Sequence, residues 1–331
     1  MRKFFKWLVI AVLALTVVYI LGPRPAHPEY NTALPAVPGA QSLDSFLVQH
    51  EKAFDVKPEN DARIVWYDSA KRKTPYSIVY LHGFSASQEE GDPVHTDIAK
   101  TFGCNLFLAR LAEHGLNDTV NALKEFTADK FWESCKEAYA IGKQLGEKVI
   151  IAATSTGGTA ALKLAATYPD IAGLVLMSPN IAINDPNAWL LNNPWGKQIA
   201  KLVKGGSYIY SSNQTAEYKK YWNSKYRIES AVQLEEMLET SMNKKTFSKV
   251  NQPLLLLYYY ADEEHQDKVV SVKAMKKMFE QVATPANKKQ HFAIPGAQNH
   301  VLGSHVISKD IPSVEKYIKE FLVGVMGLKP V

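Results

Sequence analysis

Cysteine is nearly absent from this chain: Cys104 and Cys135 are the only two in 331 residues. At most one disulfide is possible, linking the start of an expected strand to an expected helix, and two free buried thiols fit the spacing equally well. No cysteine directly follows the apolar N-terminal run, which argues against lipoprotein attachment. Long runs of one charge are also missing. The formal charge of +5 is dispersed in short stretches such as Lys71-Arg72-Lys73 and Lys219-Lys220, so no basic track exists for a phosphate backbone and nucleic acid is excluded as a partner. Neither a metal-ligand cluster nor a dinucleotide-type Gly-rich signature occurs, and no cofactor is implied. Internal repeats and low-complexity tracts are absent.

What is present divides into two materials. Arg2, Lys3 and Lys6 precede an almost charge-free apolar run from Trp7 to Leu21. Counted from Phe4, this run approaches the roughly 18 to 20 residues that cross a bilayer. It continues into Gly22-Pro23-Arg24-Pro25 without a convincing cleavage site, so residues 1–22 are expected to be an uncleaved inner-membrane anchor. Its basic flank stays cytoplasmic and the following domain lies on the exported, periplasmic or extracellular side. Secretion after signal cleavage is the alternative. Residues 23–41 are rich in Pro and Ala and read as an extended linker holding the rest off the membrane. Beyond them, 46% hydrophobic and 21% charged residues overall are ordinary globular values, enough for one α/β domain over 42–331 with a sizeable insertion.

Within that domain, strand-like and helix-like segments alternate. The spacing of Leu43, Phe46, Leu47, His50 and Phe54 predicts a short leading helix. Strand-like runs lie at 62–67, 77–81, 105–111, 149–153, 173–177, 254–260 and 291–294, several of them continuously apolar as strands covered on both faces are. Helices are expected at 93–101, 130–145, 158–167, 271–282 and 313–323. The pattern predicts a doubly wound, mostly parallel sheet. About 181–250 breaks the rhythm, with no clear strand but many helix formers and aromatics, including Trp189, Trp195, Tyr210, Tyr218, Trp222 and Tyr226. It is expected to be a helical cap.

Strand 149–153 runs directly into Thr154-Ser155-Thr156-Gly157-Gly158 and an Ala-rich helix. A Ser on so tight a strand-to-helix turn is pushed out above the sheet, and its flanks must be small to avoid collision. The pattern here is Ala-x-Ser-x-Gly, with Ala153 first. Amide groups after Ser155 lie at a helix N-terminus, where the dipole favours a developing oxyanion, and Thr156 supplies one N–H. Taken alone, the turn could equally be a helix cap or a phosphate cradle.

Context adds to it. Tyr80-Leu81-His82-Gly83-Phe84, the stretch Arg110-Leu111-Ala112-Glu113-His114-Gly115, the Ser155 turn and a late Asp and His together resemble the α/β-hydrolase superfamily, in particular carboxylesterases and monoacylglycerol-lipase-like serine hydrolases. The resemblance covers about residue 62 to the C-terminus and matches the cap least. It implies that the strand ending at His82 is the third of such a sheet and that the cap follows the sixth. It also implies that Phe84 gives the second oxyanion-hole N–H, that His82 braces its loop, and that the Arg110–Gly115 stretch, with Glu113 in place of a Gly, shapes a loop.

A serine hydroxyl attacks only when a base takes its proton and a carboxylate holds that base in the right tautomer. Asp267 matches the family's Asp-x-Val-Val-Pro/Ser pattern, with Asp262, Glu263 and Glu264 in the same loop as competitors. His300, a few residues past the last strand, fits the base; His305 remains a rival, and His265 reads as a surface residue. The expected catalytic set is therefore Ser155, Asp267 and His300, with Phe84 and Thr156 as oxyanion donors. The expected activity is hydrolysis of a small acyl ester, such as an acyl glycerol, through an acyl-enzyme. A peptidase or amidase with the same triad, or a catalytically silent membrane-anchored binding protein, are the alternatives.

Overall fold

Strands that are apolar on both faces belong inside a sheet covered on both sides, and that is where these runs lie. The computed structural model describes residues 2–331. Its strands are β1 (Arg63–Val65), β2 (Thr74–Leu81), β3 (Asn105–Leu108), β4 (Gly146–Thr154), β5 (Gly173–Met177), β6 (Tyr208–Tyr210), β7 (Lys225–Arg227), β8 (Leu254–Tyr258) and β9 (Lys289–Ala293). The helices are α1 (Arg2–Ile20), α2 (Leu43–Glu51), α3 (Val94–Thr101), α4 (Ala128–Leu145), α5 (Thr156–Thr167), α6 (Gly196–Val203), α7 (Ala216–Tyr221), α8 (Ile228–Ser241), α9 (Lys244–Phe247), α10 (Val272–Gln281) and α11 (Ile311–Gly324). Seven strands form one sheet in the order β1-β3-β2-β4-β5-β8-β9. Only the β1–β3 pairing is antiparallel; β3, β2, β4, β5, β8 and β9 run parallel.

Side-chain alternation sorts the core into two layers. Val79, Leu81, Ile151, Ala153, Leu174, Leu176, Leu254 and Leu256 face α4, α5 and α10. Ile78, Tyr80, Ile150, Ala152, Val175, Met177, Leu255 and Leu257 face α3 and α11. Cys135 belongs to the first layer and Cys104 to the second. The sheet thus lies between the two thiols, and both are free and buried.

The chain leaves β2 toward β3 on one side, and β4 enters on the other side of β2. In such a sheet the crevice for a ligand opens where strand order reverses, above the carboxyl ends. Here those ends are Leu81 and Ala153, paired across β2 and β4, so the loop after β2 and the turn after β4 start side by side.

Three expectations change. The strand ending at His82 is second in the chain, and the insertion follows the fifth strand, β5, rather than the sixth. Both ordinals fall by one because, among the described residues, no strand forms ahead of Arg63. The insertion is also not wholly helical, since β6 and β7 pair as an antiparallel ribbon; three-residue strands are too short to show a period in the sequence.

Residues 23–39 have no regular secondary structure, yet they do not stand off the body. The Trp132 indole N–H donates to Asn31 O at 2.6 Å, Lys136 Nζ to Ala33 O at 2.8 Å and the Tyr168 hydroxyl to Thr32 O at 2.8 Å. Tyr30 packs edge-on against Trp132 and shares a hydrogen bond with Thr240 Oγ1, while Leu34 and Val37 lie against the first core layer. The expected linker is a strap.

Helix α1 is long and apolar enough to cross a membrane by length and composition, with a mean hydropathy of 2.0 and none of it buried against the body.

Candidate active site

Ser155 occupies the turn between β4 and α5 with φ 52° and ψ −120°, a conformation that an L-residue adopts only where its surroundings impose it. The surroundings are visible. Ser155 N–H donates to Met177 O at 3.0 Å, while Ser155 O accepts from Gly158 N and Asn180 N at 2.9 and 2.8 Å. The small residues are steric necessities: a Cβ at Gly157 would lie 2.1 Å from Leu81 O, and one at Gly158 2.5 Å from Pro179 Cβ. Thr156 is the first residue of α5, so its N–H points from the positive end of that helix. Facing it, Phe84 follows Gly83, whose own hypothetical Cβ would come 2.8 Å from Ser155 Cβ.

His300 and Asp267 arrive from the loops after β9 and β8. The His300 Nδ1 to Asp267 Oδ2 distance is 2.6 Å, the short contact of a charge-assisted bond. Asp267 is itself fixed, because its Oδ1 accepts from Val269 N at 2.8 Å and Val270 N at 3.1 Å. Both side chains are buried. Burial disfavours the charged imidazole, but the Asp267 charge, the hydrogen bond to it and the charge of Glu90 outweigh burial and hold His300 above its ordinary value. Ser155, Thr156, Phe84 and His300 all line one cavity of about 420 Å³.

The rivals sit elsewhere. Asp262 is exposed and pairs with His265 at 2.9 Å, and Glu263 binds the Tyr260 hydroxyl at 3.0 Å on the surface. His305 is half-exposed and faces Asp92 at 3.5 Å and Glu89 at 3.8 Å. His82 braces its loop: Nδ1 bonds Gly83 O at 2.9 Å, and Nε2 accepts from Leu111 N at 3.1 Å. Burial pulls it down to about 4, so it stays neutral. Arg110 is locked in a two-pronged pair with Glu51 at 2.6 and 3.1 Å, and it shapes its loop at some distance from the serine turn. Glu113 takes φ 67°, a left-handed position that a Gly would adopt without steric cost.

One residue that sequence reasoning missed lies in the middle of the site. Glu90 is 2% exposed, its carboxylate accepts from Gly83 N–H, and it lines the same cavity as Ser155 and His300. Burial pushes this carboxyl up to about 7, against the opposing pull of the Gly83 N–H, the His300 charge and the Trp222 side chain. The stretch Gln88-Glu89-Glu90-Gly91 carries no motif that singles it out in the sequence. Insertion residues close the arrangement from above, with Trp222 packed on Ala86 and Val301 and Asn223 N donating to Ser85 O at 2.7 Å.

A parallel sheet with this strand order, a serine-bearing strand-to-helix turn and a buried Asp–His pair at its carboxyl edge define an α/β-hydrolase. The chain belongs to the serine aminopeptidase, S33, family, whose profile matches residues 113–303. It is 26% identical over 191 residues to a thermostable monoacylglycerol lipase from Bacillus sp. (strain H-257), a match that covers 58% of this chain and 71% of that protein. Among solved structures, it superposes on a lipolytic enzyme of metagenomic origin with a TM-score of 0.65 at 14% identity, covering 81% of this chain and 98% of the other. It also superposes on the monoacylglycerol lipase of Paleococcus ferrophilus with a TM-score of 0.57 at 16% identity, covering 79% and 97%.

Proposed function

We propose that this hydrolase cleaves carboxylic esters, acyl glycerols or other small acyl esters, through an acyl-enzyme on Ser155. The observation that carries the reading is the 2.6 Å bond between His300 and Asp267 in the wall of the cavity where Ser155 is held on its strained turn. With Nδ1 occupied by Asp267, Nε2 of neutral His300 is the free ring nitrogen and takes the Ser155 proton as the oxygen attacks the ester carbonyl. The Phe84 and Thr156 N–H groups bind the oxyanion. His300 then protonates the departing alcohol, and water, activated by the same imidazole, releases the acid.

The lipolytic relatives support an ester over an amide, while the family's aminopeptidase description supports the reverse. Parallel assays on p-nitrophenyl acyl esters and on aminoacyl amides separate the two. Ser155→Ala is expected to abolish labelling by a fluorophosphonate probe and to lower ester turnover about 10⁴-fold or more. Undiminished labelling in that variant would overturn the nucleophile assignment, and a folded wild type that never labels would favour a binding role.

A further inference from the structure

Helix α6 carries its apolar stripe on the wrong side for a soluble protein. Trp195, Ile199, Leu202 and Val203 recur at helical spacing, and that stripe faces solvent: Leu202 is 83% exposed, Val203 76%, and Trp189 just upstream 51%. The opposite side packs on α8, where Lys201 pairs with Glu229 at 2.7 Å. From Pro186 to Ala216 no Asp or Glu occurs, while Lys197, Lys201 and Lys204 do.

The position of this helix narrows what can cover it. Trp195 N–H donates to Pro23 O at 3.0 Å, and its indole N–H donates to Val18 O at 3.0 Å. The start of α6 is therefore fastened to the end of α1. Between Ile20, the last residue of α1, and Pro23 lie only Leu21 and Gly22, a chain reach of roughly 10 Å. Downstream, the strap is tied to the body through Tyr30, Asn31, Thr32 and Ala33, so the body cannot move away from that point. Wherever α1 leaves an apolar phase, α6 is at its surface. An apolar stripe flanked by lysines and free of acids suits the boundary between headgroups and acyl chains of an anionic bilayer.

We propose that α6, with Trp189, docks into the lipid surface of the same leaflet from which α1 emerges, holding the insertion against an anionic membrane. The proposal rests on α1 lying in that membrane, and it goes beyond ester hydrolysis. Its catalytic consequence follows from packing: α6 lies on α8, and Leu234 of α8 lines the cavity, so the cavity wall is braced on the bilayer from which an acyl ester would come.

The test uses the full chain reconstituted into phosphatidylglycerol–phosphatidylcholine vesicles, with a nitroxide on Leu202→Cys and, separately, on Val120→Cys, an exposed residue outside the insertion. The 202 label should be relaxed more by oxygen than by a water-soluble nickel chelate, and the 120 label the reverse. A 202 label that behaves as aqueous in protein resisting carbonate extraction would overturn the docking. Protein extracted by carbonate would overturn it too, by removing α1 from the bilayer. The double variant Leu202→Ser/Val203→Ser should lose about fivefold or more of its rate on a vesicle-borne ester and keep its rate on a soluble short-chain ester. Absence of both activities in the wild type would instead sink the esterase reading and leave the labelling result standing.

Discussion

Glu90 is a single buried side chain that acts on two parts of the candidate site at once. Its carboxylate holds the Gly83 amide at the root of the Phe84 loop and its charge helps to raise His300. Tyr80 and Tyr218 also feel that charge, while Glu89, Asp92, His95 and His305 crowd the outer side of the same loop. Glu90→Gln keeps an oxygen acceptor for Gly83 and removes the charge. Under the proposed mechanism His300 takes a proton only when neutral, and the negative neighbour makes it harder to deprotonate, so the acid limb of kcat/KM should move to lower pH in this variant. A purely bracing role would leave the pH profile unmoved. Stability gives an independent readout. The folded carboxyl titrates at about 7 against an ordinary 4.5, so the folded state holds the proton more tightly. Its stabilising contribution is full below the unfolded value and is lost as pH rises through 7. Urea midpoints of Glu90→Gln should lack that decline.

At this scale the Ser155 turn and the buried Asp267–His300 pair were legible and Glu90 was not. Ser155, Asp267 and His300 each lie in the segment that follows a strand, and strand ends show in the sequence as the close of an apolar run; Asp267 stands out from the acids around it by its resemblance to the Asp-x-Val-Val-Ser pattern. Glu90 acquires its role from Trp222 and His300, which lie 132 and 210 positions away by residue number, and no local pattern marks such a convergence.

Among elements, the turn from β4 to α5 is the most tightly determined. Gly157→Ala would set a methyl 2.1 Å from the Leu81 carbonyl, a backbone atom of the neighbouring strand that cannot rotate away. The expected result is a loss of about 1–3 kcal/mol, read as a lower denaturant midpoint, with turnover falling alongside because β2 carries the Phe84 loop. Small residues after Ser155 signalled this turn in advance. The strap was illegible by contrast: its Pro- and Ala-rich composition has no period, and it is held by its own carbonyl groups accepting from Trp132, Lys136 and Tyr168. Those donors read as ordinary helix and loop residues. The β6–β7 ribbon escaped for want of length.

For the molecule as a whole, the doubly wound sheet was readable because parallel strands buried on both faces leave unbroken apolar runs. The two-layer core that results settles the cysteine question, which spacing left open. Cys104 and Cys135 lie on opposite faces of the sheet, and burial pushes both thiols up, Cys104 to about 12. Reductant should leave the thermal midpoint unchanged, and a thiol reagent should modify both residues only after denaturation. A midpoint that drops on reduction would contradict this arrangement.

The strap also decides how freely the catalytic body can rotate. A flexible tether of some fifteen residues would let a domain tumble and present its crevice in any direction. Here those residues are used up in contacts with the body, and two remain between α1 and the first point of attachment. Orientation is then inherited rather than sampled: the tilt of the N-terminal helix becomes the tilt of the crevice, and if α1 is held in a bilayer, polarised fluorescence from the body should decay with that bilayer's slow correlation time.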